Sequence, residues 1–275
     1  VNGTSYGVQL RAVNEAGPGA PSVERSGTPR TAPGPVSIDA VSAGDGEVTV
    51  DVSLSSDGGS PITNFEYSLD GGLTWIALDP AQTTSPITIP GLENGTDYNL
   101  VVRGRNEAGP GAVSDPVQVT PRTVPEAPTI DAVTPGDGEV TLDFTLNDNG
   151  GSPVTAVEYT LDGGETWLTL EPVPTESPIT IPGLENGEDY EIAIRSVNEA
   201  GPGPMSETIE VTPRTTPGTP TITSLTPGVG EITVRFDPVD DGGSPITNYE
   251  YSLDGGETWI ALDPADGRSP IVITD

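Results

Sequence analysis

The segment "GLENGTDYNLVVRGRNEAGPG", residues 91–111, decides the fold. After an Asn-Gly turn signal, Tyr98, Leu100 and Val102 occupy every second position. This alternation is typical of a β-strand with one buried face. The segment recurs as "GLENGEDYEIAIRSVNEAGPG" at 183–203 and, in a shorter form, as "VNGTSYGVQLRAVNEAGPG" at 1–19. The chain is therefore expected to repeat one strand-rich unit.

The repeat runs through the entire chain of 275 residues. Trp75, Trp167 and Trp259 stand 92 residues apart, and each unit closes on "TPRT". A fixed period of this kind indicates an array of structural units. We predict four parts: the C-terminal hairpin of a partial repeat at 1–30, complete repeats at 31–122 and 123–214, and the N-terminal part of a repeat lacking its last two strands at 215–275.

Each unit has the pattern of an all-β domain. Val48, Val50 and Val52 alternate with polar residues, and seven such short runs fit between clusters of Gly, Pro, Asp and Asn. No stretch has a convincing helical period. Seven strands in 92 residues predict a β-sandwich made of two antiparallel sheets.

The repeated segment resembles the sixth-strand region of fibronectin type III domains, most closely those of bacterial extracellular proteins. In that family a Leu and a Tyr six residues later form the tyrosine corner. The matching pairs are Leu92 with Tyr98 and Leu184 with Tyr190, while Tyr6 has no Leu partner. The resemblance implies tandem seven-stranded immunoglobulin-like sandwiches. The Trp usual in the family's second strand is replaced by the residues Val52, Phe144 and Phe236.

A second motif, "SLDGGLTW" and its copies, resembles the Asp box of secreted β-proteins. Asp-Gly-Gly supplies the positive φ angles of a tight hairpin, and the carboxylate can accept hydrogen bonds from the turn. We expect the following Trp to cover the apolar face of the hairpin. The motif is therefore interpreted as structural, and its residues are Asp70, Trp75, Asp162, Trp167, Asp254 and Trp259.

Composition excludes several classes of function. The 42 acidic residues outnumber the ten basic ones, all Arg, for a formal net charge of −32. This balance disfavours binding to nucleic acid or to anionic membranes. The absence of Cys and His removes thiolate metal sites and the usual general base. No apolar run reaches the roughly 20 residues of a membrane span, so no membrane insertion is expected.

Calcium is the one cofactor that the sequence leaves open. The stretches "SSDGGS", "NDNGGS" and "VDDGGS" place oxygen atoms on tight turns, and Asp240 and Asp241 are the candidate ligands. Calcium needs six to eight oxygen ligands, and the acidic count differs among the copies, so a plain turn is the favoured interpretation. Catalysis by paired carboxylates has no support from other residues. We expect no cofactor and no enzyme activity.

The linkers and the terminal segments suggest a mechanical role. Linkers such as "TPRTVPEAP" are rich in Pro, which favours extended geometry and a semi-rigid rod of sandwiches. The segments 1–30 and 215–275 together make one repeat without the residue that corresponds to Leu92. Either the array continues beyond both ends, or the hairpin of one molecule completes the head of the next and forms a filament.

The sequence therefore predicts a non-catalytic structural protein, secreted or at the cell surface, that acts as a filament, stalk or adhesin. Its expected partner is itself, through head-to-tail assembly or as part of a longer array. Two alternatives remain open. One is a spacer region of a secreted polysaccharide-degrading enzyme. The other is a module that binds carbohydrate or protein.

Overall fold

The computed structural model describes residues 1–170 and 172–274, and within them it contains β-strands joined by turns and no helix. It divides into two compact units. The first comprises Val1–Val124 and Asn149–Pro153, and the second comprises Pro125–Asp148 and Val154–Asp275. The prediction of tandem all-β sandwiches is confirmed.

The first unit begins with a hairpin of short strands. These are β1 (Tyr6–Val8), β2 (Val13–Asn14), β3 (Gly17–Pro18) and β4 (Arg25–Gly27). Strand β1 pairs with β4, and β2 pairs with β3, so the hairpin has two hydrogen-bonded sections. Nearly all of its side chains are exposed.

The complete repeat of the first unit is a sandwich of two antiparallel sheets. Its strands are β5 (Val36–Gly44), β6 (Glu47–Leu54), β7 (Asn64–Ser68), β8 (Ile76–Ala77), β9 (Ile87–Pro90), β10 (Tyr98–Asn106), β11 (Gly109–Pro110) and β12 (Val117–Val119). One sheet has the order β5-β6-β9, and the other has the order β11-β10-β7-β8, with β12 also paired to β10. Both sheets supply fully buried side chains, which include Val48, Val50, Ile89, Leu100 and Val102.

The second unit repeats this sandwich. Its strands are β13 (Thr129–Pro135), β14 (Glu139–Thr145), β15 (Ala156–Thr160), β16 (Leu168–Thr169), β17 (Ile179–Pro182), β18 (Tyr190–Asn198), β19 (Gly201–Met205) and β20 (Ile209–Val211). The sheets are β13-β14-β17 and β16-β15-β18-β19, with β20 also on β18. Leu142, Ile181, Ile192 and Ile194 form the fully buried centre of its core.

The rest of the second unit is an open part-sandwich. It contains β21 (Ile222–Pro227), β22 (Glu231–Phe236), β23 (Glu250–Tyr251), β24 (Ile260–Ala261) and β25 (Ile271–Thr274). One sheet is β21-β22-β25, and β23 pairs with β24 in the other. Of the described residues here, the buried hydrophobic ones are Val234, Phe236 and Ile271. Within residues 215–274, no strand equivalent to β18 or β20 packs on this core.

Candidate functional site

The Asp-Gly-Gly turn has the same hydrogen-bond pattern in all three copies. In the first copy, the Ser68 hydroxyl donates to the Asp70 carboxylate at 2.6 Å, and the Thr74 hydroxyl donates to its other oxygen at 2.6 Å. The Thr74 amide also donates to this carboxylate, at 2.9 Å. Gly71 and Gly72 have φ angles of 74° and 101°, which favour glycine. The carboxylate thus closes the turn.

These hydrogen bonds keep the carboxylates ionised. Those from Ser68 and Thr74 hold the pKa of Asp70 well below its usual range. The pKa of Asp162 is lowered in the same way by the Thr160 and Thr166 hydroxyls. For Asp254 the main cause is the Thr258 hydroxyl. Hydrogen bonds to the charged form of a carboxyl group favour that form.

The turn therefore gives a pH-dependent contribution to stability. The pKa of Asp162 in the folded protein is lower than the value of about 3.9 for an Asp in an unfolded chain. The ionised Asp162 therefore stabilises the fold at neutral pH. This contribution is lost as pH falls below that value. We expect Asp162→Asn to lower the free energy of unfolding at pH 7. Between pH 5 and pH 2, this variant should lose less unfolding free energy than the unmodified chain, as measured by urea unfolding. Asp143→Asn, at an exposed position of β14, is the control; equal acid sensitivity of both variants would contradict the assignment.

The Trp of the motif lies under an arginine rather than in the core. The guanidinium carbon of Arg103, on β10, is 3.8 Å from the centroid of the Trp75 ring. The indole N–H donates to the Gly72 carbonyl at 3.1 Å, which ties the ring to the turn. Glu66, on β7, accepts from Arg103 at 2.7 Å and from Arg105 at 2.9 Å. The cluster joins the turn to two neighbouring strands.

The second complete repeat has the same cluster. The Arg195 guanidinium carbon lies 4.0 Å from the centroid of the Trp167 ring, and its Nε donates to Glu158 at 2.7 Å. The third Trp differs, because Trp259 is 63% exposed. Glu250 on β23 corresponds to Glu158. In both complete repeats, a guanidinium covers one face of the Trp ring and also pairs with a Glu of the neighbouring strand. The cluster therefore links the turn to the two strands.

The sequence analysis identified the Asp and Trp positions but not the Arg and Glu of this cluster. A signal was present: an Arg follows each corner Tyr by five residues, and a Glu precedes each Trp by nine. The expectation that the Trp covers the apolar face of the hairpin did not include this contact of its ring with a guanidinium on the outer side of the sheet.

At both predicted tyrosine corners the Tyr hydroxyl accepts a hydrogen bond from a backbone amide. The Glu93 amide donates to the Tyr98 hydroxyl oxygen at 3.0 Å, and the Glu185 amide donates to that of Tyr190 at 3.0 Å. Leu92 and Leu184 are buried in their respective cores. In the hairpin at 1–30, Tyr6 lies on β1 and is 41% exposed.

The calcium candidates lie in a hydrogen-bonded turn. Asp240 accepts from the Gly242 amide at 2.7 Å, and Asp241 accepts from the Gly243 amide at 3.0 Å. Within residues 1–170 and 172–274, no three acidic side chains come together as a metal-binding group would require. Calcium binding at Asp240 and Asp241 stays an untested prediction. Over the same residues, no helix has the length and apolarity needed to cross a membrane.

Relatives with this sequence pattern occur among large proteins. No family model matches the chain. Human cell adhesion molecule DSCAM is 29% identical over 160 residues, which are 55% of this chain and 8% of that protein. Endoglucanase B of Cellulomonas fimi is 34% identical over 131 residues, covering 44% of this chain and 12% of the enzyme. Bovine pikachurin is 30% identical over 128 residues, 42% of this chain and 12% of pikachurin.

The chain thus spans about a tenth of the length of these relatives. Among solved structures, the FN1–FN3 domains of chicken CNTN1 align with 89% of this chain and 88% of that chain, at 16% identity and a TM-score of 0.31. The strand order of both complete repeats, the tyrosine corner and the sequence relatives together support the resemblance of this chain to tandem fibronectin type III repeats.

Proposed function

We propose that this chain is a non-catalytic structural array that acts outside the cell as a stalk, filament or adhesin segment. The observation that carries the proposal is a joint built in the same way three times. At each joint an Asn-Gly turn meets the Gly-Gly turn of the sequence that follows it. An array that transmits load needs such defined joints, whereas a catalytic role would not call for their repetition.

The joint depends on close contact between backbones. A Cβ atom added to Gly59 would lie 2.2 Å from the Gly3 nitrogen, and one on Gly151 would lie 2.3 Å from that of Gly95, both in the first unit. In the second unit, a Cβ on Gly243 would lie 2.4 Å from the Gly187 nitrogen. Real Cβ contacts of this length do not occur, so glycine is required on this side of every joint.

Hydrogen bonds fix the linker beside each joint. The Thr31 amide donates to the Gly58 carbonyl at 2.9 Å, and the Thr215 amide donates to the Gly242 carbonyl at 2.7 Å. At the first joint, the Asn106 side chain also donates to the Thr31 carbonyl at 2.8 Å. The linker is therefore fixed by hydrogen bonds from its main chain to neighbouring turns, in addition to the stiffness of its prolines.

An extracellular location is part of the proposal. It is supported by relatives named as cell adhesion molecules, including DSCAM of human and of chicken. The acidic surface favours solubility and repulsion between the sides of neighbouring arrays. The proposed partner is the array itself, either through head-to-tail contact of segments 1–30 and 215–275 of two copies or as part of a longer series of repeats.

Force spectroscopy of the full chain tests the mechanical role. Each complete repeat of 92 residues should unfold in one step and release about 300 Å of chain, at up to roughly 3.6 Å per residue. We expect two such steps of equal length. Leu142→Ala, which weakens one core, should lower the force of one step only. Extension without discrete steps would contradict a load-bearing role.

A second candidate function is a spacer within a polysaccharide-degrading enzyme, which the similarity to endoglucanase B favours. A spacer connects domains and needs no affinity for the substrate. We therefore expect the chain not to sediment with microcrystalline cellulose. Binding that is lost in Trp259→Ala would instead favour a carbohydrate-binding module, since Trp259 is the most exposed of the three Trp.

A further inference from the structure

Each complete repeat places an Asn-Gly pair inside the joint that follows it. The pairs are Asn94-Gly95 and Asn186-Gly187, and both occur within the sequence Leu-Glu-Asn-Gly. Both Asn residues are half-buried. An Asn that precedes Gly is chemically reactive, because glycine has no Cβ to obstruct attack of its backbone nitrogen on the Asn side chain. The two joints therefore contain candidate sites of covalent modification.

The reaction needs only the two residues and water. The Gly95 nitrogen loses its proton to solvent and forms a bond with the side-chain carbonyl carbon of Asn94. The bond from that carbon to Nδ2 then breaks, and Nδ2 takes up a proton and leaves as ammonia. Water opens the resulting cyclic imide at either carbonyl, which leaves an aspartate or its β-linked isomer at position 94. No oxidant or reductant takes part.

Hydrogen bonds hold the Asn94 side-chain amide in one orientation. Its Oδ1 accepts from the Gly46 amide at 2.9 Å, and its Nδ2 donates to the Asp45 carboxylate at 2.8 Å. A backbone amide at the carbonyl oxygen stabilises the negative charge that this oxygen acquires when its carbon is attacked. The side chain is thus oriented for reaction, and what limits the reaction is access to the glycine nitrogen.

The closed joint withholds that nitrogen. The Gly95 amide donates to the Pro121 carbonyl at 2.9 Å, so its proton is engaged. Gly151 packs so closely against it that a Cβ on Gly151 would lie 2.3 Å from the Gly95 nitrogen. Loss of an amide proton to solvent requires its hydrogen bond to break, as in hydrogen exchange. The reaction therefore requires the joint to open.

The joint after the second complete repeat has the same features. The Asn186 Nδ2 donates to the Asp137 carboxylate at 2.8 Å. The Gly187 amide donates to the Pro213 carbonyl at 3.0 Å, and a Cβ on Gly243 would lie 2.4 Å from the Gly187 nitrogen. Both Asn residues are therefore under the same structural control.

We propose that Asn94 and Asn186 are sites of self-modification that their joints control: each is stable while its joint is closed and converts when its joint opens. The product does not restore the joint. A carboxylate at position 94 has no N–H to donate to Asp45 and places a second negative charge beside it. The β-linked isomer also adds one carbon to the main chain before Gly95. Thermal opening is sufficient, so the inference does not depend on the mechanical role.

Peptide mapping of the incubated full chain by mass spectrometry measures the conversion at each Asn separately. Gly151→Ala should speed the conversion of Asn94 about five- to a hundredfold, the factor by which overpacking favours the open joint. Asn186 in the same variant should convert at the rate of the unmodified chain. Gly243→Ala should give the reverse pattern. Fragment ions separate Asn186 from Asn149, which also precedes a Gly.

Two controls define the scale of the effect. In the urea-unfolded chain both Asn residues lie in the same local sequence and should convert at equal rates. In the folded chain each conversion should be about tenfold slower or more, because only the open fraction reacts. Gly91→Ala has an unfavourable φ without a backbone clash, so it should change neither rate.

The variant Asn94→Asp reproduces one product and tests its effect on the joint. We expect hydrogen exchange at the Gly95 amide to become about two- to tenfold faster, through the lost hydrogen bond to Asp45. Adding Asp45→Asn returns an N–H donor to the pair and should restore slow exchange. Unchanged exchange in Asn94→Asp would overturn the claim that the product holds the joint open.

The mapping outcomes test the control by the joint. Equal conversion in the folded and unfolded chains would overturn it. Equal acceleration of Asn94 and Asn186 in Gly151→Ala would also overturn it, because each joint would then not act on its own Asn. The same holds if Asn94 converts at an unchanged rate while exchange at the Gly95 amide is faster. The mechanical role is tested independently by the unfolding steps of the two complete repeats.

Discussion

Replacing Leu142 with alanine is expected to lower the unfolding free energy of repeat 123–214 by about 2–5 kcal/mol. The side chain is fully buried at the centre of β14. Its strand pairs with β13 on one side and β17 on the other, opposite Val133 and Ile179. Because neighbours on both sides are fixed by sheet hydrogen bonds, they cannot collapse into the cavity. The loss should therefore fall in the upper part of that range.

Differential scanning calorimetry would measure this effect, because the two complete repeats have separate cores. The core of 31–122 and that of 123–214 share no residue. In Leu142→Ala we therefore expect the melting temperature of repeat 123–214 to fall by roughly 10 °C or more, since a domain of this size loses about 4–8 °C per kcal/mol. The melting temperature of repeat 31–122 should not change. Leu168→Ala, at a half-exposed position of the same repeat, is the control. A uniform shift of both transitions would contradict independent cores.

The sandwich could be predicted from sequence because its determinants are local and occur repeatedly. The alternation of Val48, Val50 and Val52 fixes which face of β6 is buried, and all three are buried in the structure. The Gly and Asn turn signals separate the strands at the observed places. The tyrosine corner joins residues only six positions apart, so its geometry follows from one segment.

The contacts that the sequence analysis missed join residues distant in sequence. Arg103 and Glu66 are 37 positions apart, and their meeting depends on the pairing of β7 with β10. Their side chains stand on the outer face of the sheet, where charged residues usually indicate only solvation. The period of 92 residues aligned the copies, but it could not show that a guanidinium lies over the indole.

The backbone contacts at the joints could not be predicted from the sequence either, because a glycine in a turn pattern indicates only the turn. Gly91 and Gly151 both have positive φ, of 76° and 82°. Only the structure distinguishes them: a Cβ on Gly91 would meet nothing within 4 Å, whereas one on Gly151 would clash with backbone. This difference makes the pair a matched test of the joint.

Gly151→Ala is expected to open the joint in the first unit. The added Cβ would lie 2.3 Å from the Gly95 nitrogen and 2.6 Å from the carbonyl carbon of Asn94, neither of which can move like a side-chain end. The Gly95 amide donates to the Pro121 carbonyl at 2.9 Å, and the Thr123 amide donates to the Gly150 carbonyl at 2.8 Å. Overpacking of this kind costs about 1–3 kcal/mol.

Hydrogen exchange at the Gly95 and Thr123 amides measures this opening. At about 1.4 kcal/mol per tenfold change, exchange should be roughly five- to a hundredfold faster in Gly151→Ala. Gly91→Ala has the same unfavourable φ without the clash, so its exchange at these two amides should match the unmodified chain. Equal acceleration in both variants would mean that positive φ, and not backbone contact, sets the requirement for glycine. Selective acceleration would mean that backbone contact requires glycine at position 151, and that one added methyl group is enough to open this joint.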